Sequence, residues 1–297
     1  MARYLTFGNL LVEDVVLPDG RELPGRLGGD SLYAATGARA FADDVQLVTR
    51  LGRKFPPALV RALEDAGYGA GLIPCEHDTV RLRVDWGIEG RGRFTFHEEA
   101  GTYEDTTPVP DEIPESLTER LTAVHIAPVP FEQMEALIRW ARPRARLLTV
   151  DPHYEHVSGT EDKWRRVLQL VDVFLPSRDE ATALLGGWPG PGEAAQSLAA
   201  WGAPLVCVKL GAEGSIAFRA VTGELVRMGA ASDVVDPTGC GDAFCGGFLV
   251  GLTVSADVRT ALAHGAVAAS FAGAGHGAEH ALVPDGAEAR RRLGALL

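Results

Sequence analysis

Short apolar runs alternate with amphipathic segments along most of the chain. The apolar runs, typical of strands buried on both faces, lie at Val45–Leu51, Ala123–Val129, Leu147–Val150, Val173–Leu175 and Leu205–Lys209. Segments with helical periodicity lie between them, at Pro57–Ala66, Phe131–Ala141 and Trp164–Leu170. Strands and helices in alternation predict a mostly parallel sheet with helices packed on both faces, a three-layer α/β/α sandwich.

The two ends of the chain complete this pattern. A β-rich run, Tyr4–Leu17, opens the chain, and a glycine-rich turn leads into Asp30-Ser31, a good N-cap for an alanine-rich helix that reaches about Phe41. Two shorter β-like runs, Ser215–Arg219 and Glu224–Met228, precede three helical segments. We expect one domain over residues 1–297.

One region departs from the alternation. Residues Thr79–His97 alternate apolar and polar positions around a glycine-rich turn, which predicts a hairpin with one solvated face. We expect this hairpin to form a small β lid beside the main sheet, with lid strands within 9–30 and 79–98. The acidic, proline-rich stretch Thr106–Pro114 is predicted to be a surface loop.

Composition excludes several classes of protein. The chain has 297 residues, of which 46% are hydrophobic and 23% charged, as in ordinary globular domains. Its formal net charge of −12 argues against nucleic acid as a partner. The four cysteines form no CxxC pair, and we find no apolar run long enough to cross a bilayer, so we expect a cytoplasmic protein with reduced thiols and no membrane partner.

The most informative motif is DVVDPTGCGDAFCGGF, Asp233–Phe248. A β-like run ends at Asp236, and Gly239-Cys240-Gly241 then turns into a helix that begins near Asp242. Free amides and the positive end of a helix dipole stabilise an anion, so this turn is a candidate anion hole. A carboxylate beside such a hole suggests a general base, and Asp242 is the candidate. An ordinary glycine turn with a charge in the first helical turn would give the same local pattern.

This motif resembles the C-terminal signature D-T-x-G-A-G-D-x-F of the ribokinase-like, or PfkB, carbohydrate kinases. Here the string runs from Asp236 to Phe244, with Pro237-Thr238 at the second and third positions and Cys240 in place of alanine. The resemblance implies a ribokinase-like fold and an ATP-dependent transfer of phosphate to a hydroxyl of a sugar or sugar-like molecule. It assigns the anion hole to Gly239, Cys240 and Gly241, and the catalytic base to Asp242.

The same resemblance implies where the acceptor binds. Gly28-Gly29-Asp30 is similar to the family's N-terminal sugar motif, and Asn9 and Asp14 are similar to its ligands for substrate hydroxyls. The stretch LLTVDPHYE, residues 147–155, is similar to a D-x-N-x-R element in which histidine and glutamate replace asparagine and arginine. Losing that arginine makes sugar acids and sugar phosphates less favoured acceptors.

Further matches concern the nucleotide and its metal. PSRDEA, residues 176–181, resembles the N-x-x-E motif, which gives Glu180 the role of holding Mg²⁺ through water and places Ser177 where the family has asparagine. Predicted nucleotide neighbours are Ser177, Lys209, Gly211, Gly214 and His264, the last on a helix similar to the family's adenine pocket. By the same analogy, a monovalent cation would bind near Asp233 and Val235, and the lid permits a homodimer.

Three other functions stay open at this point. A nucleoside could replace the sugar as acceptor, and a relative that binds a sugar or nucleotide without turnover would carry similar motifs. Residues 29–32 also read GDSL, the nucleophile signature of a hydrolase family, with Ser31 as the nucleophile. That family needs an Asp with a His three residues later, and the chain contains no such pair.

Overall fold

A nine-stranded sheet forms the centre of the protein, in a computed structural model that describes residues 3–17, 19–86, 92–98, 100–232 and 234–297. In spatial order its strands are β13 (Glu224–Met228), β12 (Ser215–Arg219), β11 (Leu205–Lys209), β10 (Val173–Phe174), β9 (Leu147–Val150), β8 (Leu121–Ile126), β1 (Arg3–Phe7), β4 (Val45–Arg53) and β5 (Leu72–Asp78). All neighbours are parallel except at one edge, where β12 and β13 are antiparallel. The predicted parallel sheet is confirmed.

Helices cover both faces of this sheet. They are α1 (Asp30–Arg39), α2 (Pro57–Asp65), α3 (Tyr103–Thr106), α4 (Glu115–Thr118), α5 (Phe131–Ala141), α6 (Glu161–Val167), α7 (Arg178–Leu185), α8 (Pro191–Ala199), α9 (Cys240–Ser255), α10 (Val258–Ala272) and α11 (Gly286–Leu296). Leu5 of β1 packs in a core with α5 to α8, whereas Tyr4 packs in a second core with α1, α2 and α9. Adjacent residues of a strand point to opposite faces, so each strand contributes to both layers. In the described ranges, no helix combines the length and apolar character that a membrane span requires.

A second, four-stranded sheet, the small sheet, lies outside the three layers. Its order is β3 (Glu22–Gly28), β2 (Leu11–Val16), β6 (Val80–Trp86) and β7 (Gly92–Phe96). The predicted hairpin corresponds to the antiparallel pair β6 and β7, while its turn, residues 87–91, lies outside the described residues. The single opening run predicted at Tyr4–Leu17 is divided between the two sheets, because the chain leaves β1 at Gly8 and starts β2 at Leu11.

One face of the small sheet is called here the inner face. On β2 it carries Leu11, Glu13 and Val15; Leu11 and Val15 share a buried cluster with Leu82 and Val84 of β6. Parallel and antiparallel pairing place Glu13 opposite Leu82, and Leu82 opposite Phe96 on β7. The residues with even numbers on β2, which are Val12, Asp14 and Val16, point to the opposite face.

The prediction of a surface loop at Thr106–Pro114 is wrong at its start. Thr106 and Thr107 are buried, and both hydroxyls are bonded to Asn9, which is also buried. The Asn9 amide donates to Thr106 Oγ1 at 2.7 Å and to the Tyr103 carbonyl at 3.1 Å, and its oxygen accepts from Thr107 at 3.0 Å. The segment after α3 is thereby fixed to the end of β1.

Candidate active site

The carboxyl ends of the central parallel strands meet at one edge of the large sheet, below the small sheet. Asp151 follows β9, Ser177 follows β10, and Lys209 ends β11. Ligands of open α/β sheets bind at this edge, so it is the place to look for a site. The amino ends of α1 and α9 lie there too: a Cβ on Gly239 would come within 2.2 Å of the ring of Tyr33, in the first turn of α1, and Asp30, the first residue of α1, is close enough for its charge to act on Asp242.

The turn before α9 depends on a glycine. Gly239 has φ +71°, and a Cβ on it would lie 2.2 Å from the ring of the buried Tyr33. The Cys240 amide donates to the Pro237 carbonyl at 3.1 Å. Within the described ranges, the amides of Gly239 and Gly241 have no such partner. Their position supports the predicted anion hole for the two glycines, while the Cys240 amide is already used within the turn.

Asp242 lies in the first turn of α9, next to this hole. Burial raises the pKa of its carboxyl, and the nearby carboxylate of Asp30 raises it further. The Lys209 ammonium acts in the opposite direction. A carboxyl with a raised pKa binds a proton more readily than an exposed aspartate, which suits a general base.

Acidic side chains dominate the cleft. Five carboxyl groups have a pKa raised by burial: Glu13, Asp30, Asp151, Glu180 and Asp242. Lys209 counteracts this shift for all of them except Glu13. Burial lowers the pKa of Lys209, but the charges around it, that of Asp151 first, together raise this pKa above its usual value. Its Nζ is ion-paired with Asp151 and lies 3.7 Å from where a Cβ on Gly241 would be. Lys209 therefore lies beneath the anion hole, as the common counter-charge of these groups.

Glu180 and Ser177 cap α7 reciprocally. The Ser177 amide donates to Glu180 Oε2 at 2.6 Å, and Ser177 Oγ accepts from the Glu180 amide at 3.3 Å. Serine and asparagine are both favoured N-cap residues, so Ser177 can cap α7 as the asparagine of the family motif would. Burial, followed by the charge of Asp151, raises the pKa of the Glu180 carboxyl to about 7.

The residues present fit a magnesium ion that is held mainly by phosphates. Asp151 Oδ1 is fully buried and has no hydrogen-bond partner in the described structure, and the Glu180 carboxylate is its neighbour. In the same residues, no three His, Cys, Asp or Glu side chains form a group that holds a metal by itself. Mg²⁺ at phosphoryl-transfer sites uses one or two carboxylates, water and substrate oxygens, which agrees with this donor set.

Glu13 is a site residue that the sequence analysis missed. It is 3% exposed, its Oε2 has no partner among the described residues, and burial with the charge of Asp236 raises its pKa to about 8. Asp14, predicted in this role, points to the other face of β2. There it is bonded to Arg81 at 2.9 Å and His97 at 3.0 Å. Alternation along β2 is the signal that separates the two neighbours.

The predicted glycine motif has a physical basis in this geometry. A Cβ on Gly28 would lie 2.0 Å from Glu13 Oε1, and one on Gly29, with φ +124°, would lie 2.4 Å from the Asn9 carbonyl oxygen. Asp30 follows as the first residue of α1, at the cleft. The Asn9 side chain bonds to the segment after α3 through both its nitrogen and its oxygen, and its role as a ligand for substrate hydroxyls stays a prediction.

Two of the predicted nucleotide neighbours lie in the turn between β11 and β12. Gly211 has φ +60° with open space around it, whereas a Cβ on Gly214 would lie 2.0 Å from the Met228 carbonyl oxygen. Gly211 thus leaves surface for a ligand, and Gly214 is required by packing against β13. The side chain of Lys209 points instead into the acidic cleft, where it pairs with Asp151.

His264 lies away from this edge. Its ring packs against Phe41, beyond the carboxyl end of α1, with 4.5 Å between ring centroids. It also contacts Gly251, about three helical turns along α9 from Cys240. In this structure the His264 ring takes part in helix packing, and its contact with adenine stays a prediction.

Two further expectations are limited or excluded by the described residues. The cation site was predicted near Asp233 and Val235, and Asp233 lies outside the described residues. The hydrolase reading requires an accessible Ser31, yet this side chain is fully buried and its hydroxyl donates to the Asn9 carbonyl at 3.0 Å. Ser31 is therefore a structural residue.

Comparison with known proteins identifies a family for the chain. The sequence model of the pfkB family of carbohydrate kinases matches residues 89–285. The chain is 28% identical over 255 residues to a cytidine kinase from Thermococcus kodakarensis, covering 84% of this chain and 88% of that protein. It is 33% identical to a 5-dehydro-2-deoxygluconokinase from Bacillus licheniformis over 118 residues, 39% of this chain and 36% of that protein.

Solved structures show the same fold. A fructokinase from Vibrio cholerae, crystallised with fructose, ADP and calcium, superposes with a TM-score of 0.78 at 22% identity, over 99% of both chains. An Escherichia coli protein described as a putative ribokinase, in complex with ATP and Mg²⁺, gives 0.77 at 19% identity, over 99% of this chain and 100% of that one.

The fold and site thus define a phosphotransferase of the ribokinase-like type. The chain belongs to the pfkB family of carbohydrate kinases, and it is an enzyme that transfers a phosphoryl group to an alcohol group.

Proposed function

We propose that this enzyme transfers the γ-phosphoryl group of ATP to a hydroxyl of a sugar or nucleoside, with Asp242 as the general base. The observation that carries the proposal is the position of Asp242 in the first turn of α9, directly after the Gly239 turn and beside the amides of Gly239 and Gly241. A base and an anion hole at one helix terminus can act on the same reacting group.

Each part of the cleft then has a role. Asp242 accepts the proton of the acceptor hydroxyl while the hydroxyl oxygen attacks the γ-phosphorus and the bond to the β-phosphate oxygen breaks. The two free amides and the amino end of α9 stabilise the negative charge on the transferred group. Lys209 keeps positive charge below this point and favours the ionised form of Asp242.

Glu180 and Asp151 would hold the magnesium ion, directly or through water. When bound, this ion neutralises charge on the β- and γ-phosphates. The nucleotide would extend along the turn at Gly211. The acceptor would lie under the small sheet, against Glu13, Gly29 and Asp30. The carboxyl groups of Glu13 and Asp30 would bond to its hydroxyls. Closure of this sheet as a lid would exclude water and limit hydrolysis of ATP.

The test is a coupled assay of ADP release with ATP and Mg²⁺. The acceptor panel contains nucleosides, neutral sugars, sugar acids and sugar phosphates, since the relatives named above include a cytidine kinase and a dehydrogluconokinase. We expect acceptor-dependent ADP release that falls at least 100-fold in Asp242→Asn, which keeps the shape but removes the base. Asp162→Asn, the same change at an exposed residue in the first turn of α6, is the matched control.

Turnover of Asp242→Asn within about tenfold of the unmodified enzyme would refute the assignment of the base. If no acceptor releases ADP above the blank while ATP still raises the melting temperature, the protein is a binder without turnover. That result would reject the proposed catalysis as a whole.

A further inference from the structure

A chain of aromatic rings extends from the small sheet to the edge of the large sheet. Phe96 on β7 contacts Tyr103 of α3, with 5.5 Å between ring centroids. Tyr103 contacts His153 at 5.0 Å, and His153 contacts His156 at 5.0 Å. We call these four residues the aromatic chain. His153 follows Asp151 by two residues, so the aromatic chain ends next to the acidic cleft.

Phe96 and Phe94 lie on the inner face of the small sheet, the face that carries Glu13. Their cross-strand neighbours Leu82 and Val84 are buried, yet Phe96 is 42% exposed and Phe94 is 57% exposed. Glu13, Leu82 and Phe96 form one row across β2, β6 and β7. At the usual spacing of strands, Glu13 and Phe96 are about 10 Å apart.

The two ends of this row differ in chemistry. At one end Glu13 presents a buried carboxyl oxygen without a partner among the described residues. Asp30 and Asp242 are close enough for their charges to interact with that of Glu13. Carboxyl groups of this kind bond to sugar hydroxyls. At the other end the surface is aromatic, and it extends well beyond the length of a single sugar ring.

The aromatic end carries little charge. The four residues of the aromatic chain include no carboxylate, lysine or arginine side chain. The cations placed near the cleft already have anionic partners: Lys209 is paired with Asp151, and Arg26 with Glu279 at 3.3 Å. This arrangement suits a neutral planar group better than a phosphate or a carboxylate.

From this juxtaposition we infer that the acceptor is a nucleoside: its ribose hydroxyls bind at Glu13 and Asp30, and its base packs against Phe96 and the aromatic chain. The inference rests on the proposed function, since it names the acceptor of that reaction. It predicts that the base contributes to recognition, so that ribose alone is a poor acceptor.

The experiment measures both turnover and binding. Kinetic constants are determined for cytidine, uridine, adenosine and guanosine, and for ribose, fructose, gluconate and fructose 6-phosphate. Binding of the same compounds is measured by calorimetry in the presence of a non-hydrolysable ATP analogue. The variants are Phe96→Ala and, as control, Leu225→Ala on edge strand β13, where the side chain is 46% exposed.

We expect at least one nucleoside to have a kcat/KM more than 100-fold above that of ribose. Phe96→Ala should raise the KM and the dissociation constant of that nucleoside about tenfold or more, because base stacking on an aromatic side chain is lost. The KM for ATP should stay within twofold, and Leu225→Ala should change none of these values.

Other outcomes separate the two proposals. If a nucleoside binds and Phe96→Ala weakens the binding, but no ADP is released, the proposed catalysis fails and the nucleoside site stands. The inference is overturned if ribose, fructose or a charged sugar is the better acceptor. It is also overturned if Phe96→Ala alters only the sedimentation coefficient, which would assign Phe96 to contact between two copies of the chain.

Discussion

Lys209 and Asp151 form a buried ion pair that bridges the strand between them. Lys209 ends β11 and Asp151 follows β9, with β10 lying between these two strands. The Asp151 carboxylate is fully buried and also accepts a hydrogen bond from the Cys245 thiol at 3.4 Å. The pair thus ties two parallel strands and α9 together at the floor of the acidic cleft.

Removing only the lysine should be costly. In Lys209→Met, the Asp151 carboxylate loses its counter-charge in a dry site, and we expect the free energy of unfolding to fall by about 3–5 kcal/mol. The double variant Lys209→Met/Asp151→Asn should lose clearly less, since the buried charge is then absent. Urea unfolding at pH 7 measures the free energy of unfolding of the double variant and of its two single variants, Lys209→Met and Asp151→Asn. A loss in the double variant equal to the sum of the two single losses would contradict the pairing.

The turn before α9 should tolerate no side chain at Gly239. Gly239→Ala adds both backbone strain at φ +71° and a clash with the Tyr33 ring, so we expect a loss of more than about 3 kcal/mol and of nearly all activity. Gly223→Ala is the matched control, because Gly223 has φ +69° and open space. It should lose only about 1–2 kcal/mol and keep full activity, as measured by thermal unfolding and ADP release.

The bond between Thr107 and Asn9 should contribute to stability. Thr107→Val keeps the shape of the side chain but leaves the buried Asn9 oxygen without its donor, so we expect a loss of about 1–3 kcal/mol. Thr118→Val removes a hydroxyl that bonds locally at the surface, at 2.8 Å to the Glu115 carbonyl. Its effect should be below about 0.5 kcal/mol. Equal effects in urea unfolding would show that the Asn9 contact is unimportant.

Glu13 should make stability fall as the pH rises. Its pKa is about 8 in the folded protein against 4.5 for the ordinary group, so the folded state holds a proton that the unfolded state has lost between these values. The stability from this group is complete below about pH 4.5 and is lost as the pH rises through 8.

Glu13→Gln removes that dependence. Relative to the unmodified protein, its free energy of unfolding should increase between pH 5 and pH 8, by at most about 1.4 kcal/mol per pH unit. Glu104→Gln, at an exposed residue of α3, should show a difference that is constant over this range. A constant difference for Glu13→Gln as well would mean that Glu13 is ionised in the folded protein.

The features of the site that can be predicted from the sequence are local. The order of strands and helices follows from apolar periodicity, and the turn at Gly239 with Asp242 is contained in one short segment. Its geometry is therefore determined by residues that are neighbours in the chain. The same holds for the cap formed by Ser177 and Glu180, three residues apart.

The features of the site that the sequence alone could not predict depend on distant contacts. Choosing between Glu13 and Asp14 requires knowing which face of β2 is covered, and β6, which decides it, begins at Val80. Asn9 is used by residues that follow it by almost a hundred positions. His264 lies on α10, and the packing of α9, α10 and the end of α1 directs its ring away from the cleft. These pairings are invisible in the local pattern.

The place of β1 in the sheet also has a consequence for synthesis of the protein. β1 leaves the ribosome before its neighbours on the two sides, β4 and β8, which begin at Val45 and Leu121. At roughly 5–20 residues per second, several seconds pass before the second edge of β1 can be paired. During this interval the nascent chain exposes an apolar strand with an unpaired backbone edge. Such edges promote aggregation, and chaperones protect chains that expose them.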